Sequence, residues 1–474
     1  MFSAACSTLT ALALAASTPP SVGDGGQGLR FGPFGDLTVY QPSGPPRSVA
    51  LFVSGDGGWT LGVVGMAERL RASGALVVGI DIRRYLSAVG SAPGPCTYAA
   101  GDFEALSQYI QKRLGLEHYL APVLVGYSSG ATLVYVAVAE SPPTTFRGAL
   151  SLGFCPDLPG KRAWCAGPGR LRADPLRRGG WSFQPLVRLP APWIVLQGDD
   201  DQVCSPALAA DYIAGIDGAE IIKLPKVGHG FGVESRWGPA FDQAYRRIVA
   251  APGSDQEASP GPVSDLPLVE VPPPAGAPAT DRFAVMLSGD GGWAGLDREV
   301  SQRLAARGIP VVGLNSLQYF WRARTPQQLG HDLARIVAHY QARWHGNRVL
   351  ILGYSFGADV APFAVANLPS AVRAHVAGVG LLGIGQTASF EFRVGDWIGR
   401  KDENEYPTSP ALQELPGLVR PAPVVCLFGA EEIDSGCRAH PGVQAIRLPG
   451  GHHLGGDYGV LADRLLALLG GTGG

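Results

Sequence analysis

Two serines stand at the centre of Gly-x-Ser-x-Gly pentapeptides: Ser128 in Gly-Tyr-Ser-Ser-Gly and Ser355 in Gly-Tyr-Ser-Phe-Gly. Each pentapeptide follows an apolar run and precedes a segment that is compatible with a helix. This context is typical of a nucleophile elbow, because the glycines permit a sharp turn and the helix N-terminus favours an oxyanion. The alternative is a glycine-rich turn with an incidental serine. We predict two candidate nucleophiles, of which Ser355 is the principal one.

A serine hydroxyl is a poor nucleophile without a base, so an acid and then a histidine are expected further along the chain. After Ser128, an apolar run ends in Gly-Asp-Asp-Asp, and His229 follows the next apolar run. The last of these aspartates, Asp201, lies at the distance past the strand end that a triad acid needs. The first half therefore has a possible triad of Ser128, Asp201 and His229.

The acid of the second half can be chosen in two ways. Asp434 precedes Cys437 by three residues, as Asp201 precedes Cys204, whereas Glu432 shares the Gly-x-x-acid spacing of Asp201. An acidic loop can also be no more than a solvated turn. We favour Asp434 and keep Glu432 as the alternative.

The histidine of the second half is one of two neighbours in Gly-Gly-His-His. Alignment on Gly-His-x-apolar with the first half selects His452, whereas counting from the preceding Leu-Pro selects His453. We favour His452. The predicted catalytic triad is then Ser355, Asp434 and His452.

The sequence Ser-Gly-Asp-Gly-Gly-Trp occurs at 54–59 and again at 288–293, each time after an early apolar run. Small residues there would let backbone N–H groups approach a developing negative charge. The predicted oxyanion donors are the amides of Asp290 and Phe356 in the second half and those of Asp56 and Ser129 in the first. A phosphate cradle is the alternative, but the Lys-Ser/Thr of a P-loop is missing.

A loop rich in aromatic residues and arginine, at 315–326, follows the second apolar run of the second half. Rings beside guanidinium groups can bind an amphiphile, with its apolar body on the rings and its phosphate on the arginines. The alternative is a packed loop with exposed arginines. The predicted substrate-binding residues in this loop are Tyr319, Trp321, Arg322 and Arg324.

These motifs recur in one order at nearly one spacing, which indicates an internal duplication. The copies lie 234, 227 and 223 residues apart, at Ser54 and Ser288, Ser128 and Ser355, and His229 and His452. In each copy, apolar strands alternate with helix-compatible segments, which predicts a mostly parallel sheet with helices on both faces. We predict two tandem α/β-hydrolase-like domains, at 28–250 and 264–470, joined by a Pro/Gly/Ser-rich linker at 251–263.

Composition supports a folded, exported protein. The chain has 474 residues, 46% hydrophobic and 16% charged, with a net charge of −2, which argues against a nucleic-acid partner. An apolar run with Ala-Leu-Ala near the start predicts a signal peptide at 1–17, although a disordered Ala-rich tail is the alternative. Neither a Cys-x-x-Cys nor a histidine cluster suggests a metal, and we expect no cofactor.

Removal of Cys6 with the signal peptide would leave six cysteines, an even number suited to disulfides in an oxidising compartment. We predict an exported protein. Three disulfides are expected, pairing Cys426 with Cys437, Cys155 with Cys165, and Cys96 with Cys204.

The second half resembles the VirJ/AcvB bacterial virulence-protein family through Ser-Gly-Asp-Gly-Gly-Trp, Tyr-Phe-Trp-x-x-Arg-Thr-Pro, Gly-Tyr-Ser-Phe-Gly-Ala-Asp and Gly-Gly-His-His. The first half resembles the N-terminal half of longer AcvB-like members. The resemblance implies an exported, periplasmic serine hydrolase that acts at the membrane surface on aminoacylated phosphatidylglycerol, typically lysyl-phosphatidylglycerol. Asp290 or Asp359 would then pair with the aminoacyl ammonium, and Arg322 or Arg324 with the lipid phosphate. A non-catalytic accessory protein with a secretion-system partner is the alternative.

Overall fold

The computed structural model describes residues 27–251, 262–393, 405–437 and 440–469. The predicted signal peptide at 1–17 and residues 252–261 of the predicted linker lie outside the described residues. Among the described residues, no helix combines the length and the apolar character needed to cross a membrane.

The first half alternates strands and helices, as its apolar runs predict. Its strands, in chain order, are β1 Gln27–Phe31, β2 Gly35–Tyr40, β3 Ser48–Val53, β4 Ala75–Ile80, β5 Val123–Tyr127, β6 Gly148–Leu152, β7 Asp157–Leu158, β8 Ala173–Pro175, β9 Trp181–Phe183, β10 Arg188–Gly198 and β11 Asp217–Leu224. Its α-helices are α1 Leu61–Ala72, α2 Ile82–Ser91, α3 Ala99–Arg113, α4 Ser129–Glu140, α5 Pro206–Ile213 and α6 Glu234–Ala250.

The second half repeats the pattern. Its strands are β12 Leu268–Val271, β13 Arg282–Leu287, β14 Val311–Leu314, β15 Arg348–Tyr354, β16 Val376–Leu382, β17 Thr387–Ala388, β18 Tyr406–Pro407, β19 Val424–Gly429 and β20 Val443–Leu448. Its α-helices are α7 Gly295–Ala306, α8 Ser316–Tyr319, α9 Pro326–Trp344, α10 Phe356–Ala366, α11 Ser370–Arg373, α12 Thr408–Val419 and α13 Tyr458–Leu468.

The two large sheets have the same strand order, apart from the additional edge strand β1 of the first sheet. The first runs β1-β2-β4-β3-β5-β6-β10-β11, and the second runs β12-β14-β13-β15-β16-β19-β20. From β4 and β14 onward every neighbouring pair is parallel, whereas β2 and β12 join antiparallel. The carboxyl ends of the parallel strands therefore meet at one edge of each sheet, where loop residues can form a site.

Helices cover both faces of each sheet because the central strands are apolar on both sides. In the first sheet, α1 and α6 pack on one face and α2, α3, α4 and α5 on the other. In the second, α7 and α13 pack on one face and α9, α10 and α12 on the other. The predicted fold class, two tandem α/β-hydrolase-like domains, is confirmed. The exact domain boundaries stay a prediction.

The two domains contact each other through the segments after β13 and α8 of the second domain and those after α3 and α4 of the first. Thr144 Oγ1 donates a hydrogen bond to Trp293 O at 2.7 Å, and Trp321 Nε1 donates to Leu116 O at 2.8 Å. A cavity of about 610 Å³ lies between them, lined by residues of both domains, Glu104 among them. The first domain therefore lies beside the Ser-Gly-Asp-Gly-Gly-Trp turn of the second.

Two of the three predicted disulfides are wrong. The Cys426–Cys437 bridge is confirmed, but the other bridges join Cys96 to Cys165 and Cys155 to Cys204. The reason is strand order: β6 and β10 are neighbours, so the loop after β6 lies beside the loop after β10. Closeness along the chain was a poor guide to this pairing.

Candidate active site

Both candidate nucleophiles occupy sharp turns between a parallel strand and a helix. Ser355 lies between β15 and α10 with φ 51° and ψ −122°, and Ser128 lies between β5 and α4 with φ 56° and ψ −124°. A positive φ in a residue with a side chain costs on the order of 1–3 kcal/mol, so the surrounding packing must impose it. The motif glycines permit that packing, because a Cβ at Gly357 would lie 2.1 Å from Leu287 O.

In the second domain, a line of hydrogen bonds joins serine, histidine and acid. His452 Nε2 lies 2.8 Å from Ser355 Oγ, and His452 Nδ1 lies 2.5 Å from Glu432 Oε1. The other carboxylate oxygen of Glu432 accepts a hydrogen bond from Gly429 N. The structure therefore brings Ser355 and His452 together as predicted.

The predicted acid, Asp434, is wrong: its side chain is exposed, and the partner of His452 is Glu432. The turn after the strand sets this choice, since Glu432 N donates to Gly429 O as Asp201 N donates to Gly198 O. The loop from acid to cysteine is two residues longer in the second domain. Counting back from Cys437 therefore selected the wrong residue.

The second histidine of the pair has a different partner. His453 Nδ1 lies 3.2 Å from the hydroxyl of Tyr354, the residue that precedes the nucleophile. His452 is thus the histidine that contacts Ser355.

The first domain contains an equally complete set. His229 Nε2 lies 2.9 Å from Ser128 Oγ, and His229 Nδ1 lies 2.9 Å from Asp201 Oδ2. The Asp201 carboxylate also accepts hydrogen bonds from Val203 N, Cys204 N and Gln197 Nε2, at 2.9, 2.8 and 3.1 Å. The three residues predicted here are therefore in hydrogen-bond contact.

The Ser-Gly-Asp-Gly-Gly-Trp turn packs directly against each nucleophile. A Cβ at Gly289 would lie 3.6 Å from Ser355 Cβ, and one at Gly55 would lie 2.9 Å from Ser128 Cβ. The turn approaches Ser128 so closely that glycine is needed at position 55, whereas the distance at position 289 is an ordinary van der Waals contact. The predicted donors, the amides of Asp290 and Phe356, flank Ser355 from this turn and from the start of α10. Their role as an oxyanion hole stays a prediction.

Two half-buried carboxylates, Asp359 and Asp290, lie on the segments next to Ser355. Asp359 lies one helical turn after it, with its amide donating to Ser355 O at 3.0 Å and its Oδ1 accepting from Gly385 N at 2.7 Å. Burial raises the pKa of Asp359 well above its usual range, and the charge of Asp290 adds to this. Burial also raises the pKa of Asp290, while its own backbone amide and His452 lower it in part. A cation in this site would be favoured because it would offset the burial of these carboxylates.

The aromatic and arginine-rich loop does not line the nucleophile. Tyr319 and Trp321 are 1% and 2% exposed; Tyr319 donates to Asp332, and the ring of Trp321 packs on Tyr119 of the first domain. They are core and interdomain residues, so their predicted role in substrate binding is wrong. The loop packs because α8 turns it back onto α9 and the first domain.

The two arginines of this loop also have protein partners. Arg322 forms an ion pair with Glu117 of the first domain at 3.0 Å. Arg324 lies over the ring of Tyr319, 4.7 Å from its centre, and lines the interdomain cavity. This arrangement does not support the predicted contact of these arginines with a phosphate. Both arginines instead lie where the two domains meet.

Sequence comparison identifies the family. The family model for the bacterial virulence protein VirJ matches residues 47–150 and 281–471. The chain belongs to the VirJ family. The match to this family includes Ser355, Glu432 and His452 in the second domain, and Ser128 in the first, but not Asp201 or His229. No curated protein sequence matches the chain significantly.

Several solved structures resemble parts of the VirJ family chain. An α/β serine hydrolase without a lid from Xanthomonas campestris is 21% identical, with a TM-score of 0.33, over 49% of this chain and 99% of that one. An α/β serine hydrolase homologue from Coxiella burnetii is 16% identical, with a TM-score of 0.31, over 49% and 98%. The esterase domain of a Rhodothermus marinus protein is 16% identical, with a TM-score of 0.31, over 45% and 93%.

Sequence reasoning missed one residue in each site. Gly153 and Gly383, both at positive φ, follow β6 and β16, and a Cβ there would lie 3.2 and 2.9 Å from the ring of His229 and His452. A larger residue would displace the histidine from its acid. The sequence does contain a pattern that marks these glycines: Leu-Gly-apolar occurs at 152–154 and again 230 residues later, at 382–384.

Sequence reasoning also missed Glu104, which α3 of the first domain directs toward the second. Its Oε1 would lie 3.7 Å from a Cβ at Gly291, beside Asp290. Burial, and then the charge of Asp290, raise the pKa of Glu104 to about 8. A contact between two domains leaves no local pattern in either sequence.

Proposed function

We propose that this protein is a periplasmic serine hydrolase that cleaves the aminoacyl ester of aminoacylated phosphatidylglycerol, with Ser355 as nucleophile. The observation that carries the proposal is the hydrogen-bonded line from Ser355 through His452 to Glu432. Membership of the VirJ family and the strand-to-helix elbow support the same reaction class.

The reaction follows from the positions of these groups. His452 Nε2 takes the hydroxyl proton while Ser355 Oγ adds to the ester carbonyl, and Glu432 stabilises the imidazolium through Nδ1. Collapse of the tetrahedral intermediate breaks the bond to the lipid glycerol oxygen, which receives the proton from His452. Water, activated by the same histidine, then hydrolyses the aminoacyl-enzyme and releases the amino acid. The products are a free amino acid and phosphatidylglycerol.

The aminoacyl preference rests on the carboxylates beside the nucleophile. An aminoacyl ester carries an ammonium one carbon from the scissile carbonyl, and Asp359 and Asp290 offer acceptors near that position. Desolvation of a carboxylate is unfavourable unless it is paired, so a bound ammonium would stabilise their ionised forms. A neutral acyl group would leave that cost unchanged. These charges therefore favour a cationic acyl group at Ser355.

The compartment is supported by the three disulfides, which form in an oxidising environment. A substrate embedded in a bilayer requires contact of the protein with the membrane surface. We propose a peripheral contact, through which the headgroup ester reaches the edge of the second sheet.

The test is release of lysine from purified lysyl-phosphatidylglycerol in mixed micelles by the full chain. We expect Ser355→Ala to abolish release and Ser370→Ala, an exposed serine at the start of α11, to leave it unchanged. Continued release by Ser355→Ala would overturn the proposal.

A non-catalytic accessory role in a virulence or secretion system is the alternative use of this fold. A fluorophosphonate probe separates the two, since it labels only an activated serine. Absence of label from both Ser128 and Ser355 would favour the binding protein.

A further inference from the structure

We propose that Ser128, His229 and Asp201 form a second esterase centre, and that its substrate is a carboxylic ester whose acyl group carries no ammonium. Nothing in the function proposed for Ser355 uses this triad. The proposal rests on three features of the first domain: the order of the triad, the strained elbow and the residues around the serine.

The first triad is more enclosed than the second. The side chains of Asp201 and His229 are 0% and 16% exposed, against 13% and 44% for Glu432 and His452. A histidine packed against protein samples fewer orientations than an exposed one, so its Nε2 stays directed at the serine hydroxyl. By geometry alone, Ser128 is the better-prepared nucleophile.

A buried aspartate is costly unless its charge is compensated. Asp201 is compensated by two backbone amides, the Gln197 amide and His229. The Cys155–Cys204 disulfide ties this acid loop to the loop after β6. That construction stabilises an imidazolium at His229, which is what general-base catalysis by this histidine requires.

The elbow of Ser128 keeps the same unfavourable backbone conformation as that of Ser355. A serine with no role in catalysis would gain stability from relaxing into an ordinary turn or from replacement by glycine. Instead, Gly126 and Gly130 let the turn close tightly: a Cβ at Gly126 would lie 2.1 Å from Gly130 O. The domain thus retains a strained serine directed at its histidine.

The acyl class follows from a comparison of matched positions in the two domains. Four residues after the nucleophile, Thr132 replaces Asp359, and its hydroxyl donates to Cys155 O. Nine residues after the first serine of the turn, the buried Val63 replaces the buried Asp297, whose Oδ2 accepts a hydrogen bond from Gly289 N of that turn. At two positions where the second domain has a buried or half-buried carboxylate, the first domain therefore has a threonine and a valine.

The carboxylates that remain near this turn are exposed. Asp56, the counterpart of Asp290, is exposed and accepts a hydrogen bond from Ser129 Oγ at 2.8 Å. Asp157, on β7 near Asp56, is exposed as well. Water competes for charges at such positions, so they would contribute little to binding an ammonium. The first site accordingly suits an uncharged acyl group.

The chemical step needs no group beyond these residues and water. Ser128 Oγ forms a bond to the carbonyl carbon as its proton moves to His229, and the bond to the leaving alcohol breaks as that alcohol takes the proton. Water then cleaves the acyl-enzyme to a carboxylic acid and regenerates Ser128.

The test uses the full chain with two chromogenic esters, p-nitrophenyl butyrate and lysine p-nitrophenyl ester. We expect Ser128→Ala to lower kcat/KM for the butyrate about 100-fold or more and to leave lysyl ester hydrolysis unchanged. Ser355→Ala should do the reverse. Butyrate hydrolysis that survives in Ser128→Ala would overturn the proposal, whereas loss of lysyl hydrolysis in Ser355→Ala tests the function proposed above.

Labelling provides a readout that does not depend on the folding of a variant. Intact mass of the wild-type chain treated with a fluorophosphonate should show two adducts, and peptide mapping should place one on Ser128. An adduct on Ser355 alone would overturn the second centre without affecting the first proposal. Thr132→Asp should raise the ratio of lysyl to butyryl hydrolysis, and Thr132→Val should not.

Discussion

Replacing Glu432 by glutamine removes the anionic acceptor of His452 while keeping the size of the side chain. The glutamine can present an N–H₂ group to His452 Nδ1, which would shift the imidazole proton to Nε2 and leave no base facing Ser355. Loss of a triad acid in this manner lowers kcat by about 10⁴-fold. Because the ring of His452 is 44% exposed, water can replace part of the interaction. We therefore expect a fall of about 10³-fold, or about 4 kcal/mol.

The assay is the steady-state hydrolysis of lysine p-nitrophenyl ester at pH 7 to 8, with Asp434→Asn as the matched control. Asp434 is exposed, so its amide variant should retain wild-type kcat. Glu432→Asp should restore part of the activity, because an aspartate serves the same role in the first domain. The reasoning would be refuted if Asp434→Asn were the slow variant and Glu432→Gln were not.

Three further outcomes are expected. Asp359→Asn should raise KM for lysyl esters several-fold and leave their kcat nearly unchanged, as measured by steady-state kinetics; an unchanged KM would contradict an ammonium contact. Trp321→Ala should lower the free energy of unfolding by about 3–5 kcal/mol, measured by denaturant titration, because its ring is 2% exposed; an unchanged midpoint would contradict its core role. The free energy of unfolding should fall as pH rises from about 4.5 to 8, because the raised pKa of Glu104, about 8, keeps its carboxyl protonated in the folded state while the unfolded chain releases that proton. Thermal melts should show a smaller pH dependence for Glu104→Gln than for the wild type. An unchanged pH dependence would contradict the raised pKa of Glu104.

The sequence predicted the fold and the nucleophiles because these depend on local patterns that the duplication repeats. Apolar runs of strand length and the glycines around Ser128 and Ser355 are set by sterics within a few residues. The Gly-His-x-apolar pattern after each late strand also repeats, although the spacing from the strand differs by one residue between the copies. For these features the second copy served as an internal check on the first.

The errors arose where residues distant in sequence decide the outcome. Asp434 was chosen by counting from a cysteine, although the length of the intervening loop differs between the copies. Tyr319 and Trp321 have the composition of a binding loop, but Tyr319 is buried in the core of the second domain and Trp321 against Tyr119 of the first. The pairing of Cys155 with Cys204 depends on which strands are neighbours, and adjacent residues do not encode that order.

The central claim is that Ser355 carries the aminoacyl group of the lipid during turnover. Rapid acid quench of the full chain with lysyl-phosphatidylglycerol, followed by peptide mass mapping, tests it directly. The account predicts a lysyl adduct on the peptide that contains Ser355, absent from Ser355→Ala. Turnover without that adduct in single-turnover experiments, or a lysyl adduct on Ser128 instead, would contradict it.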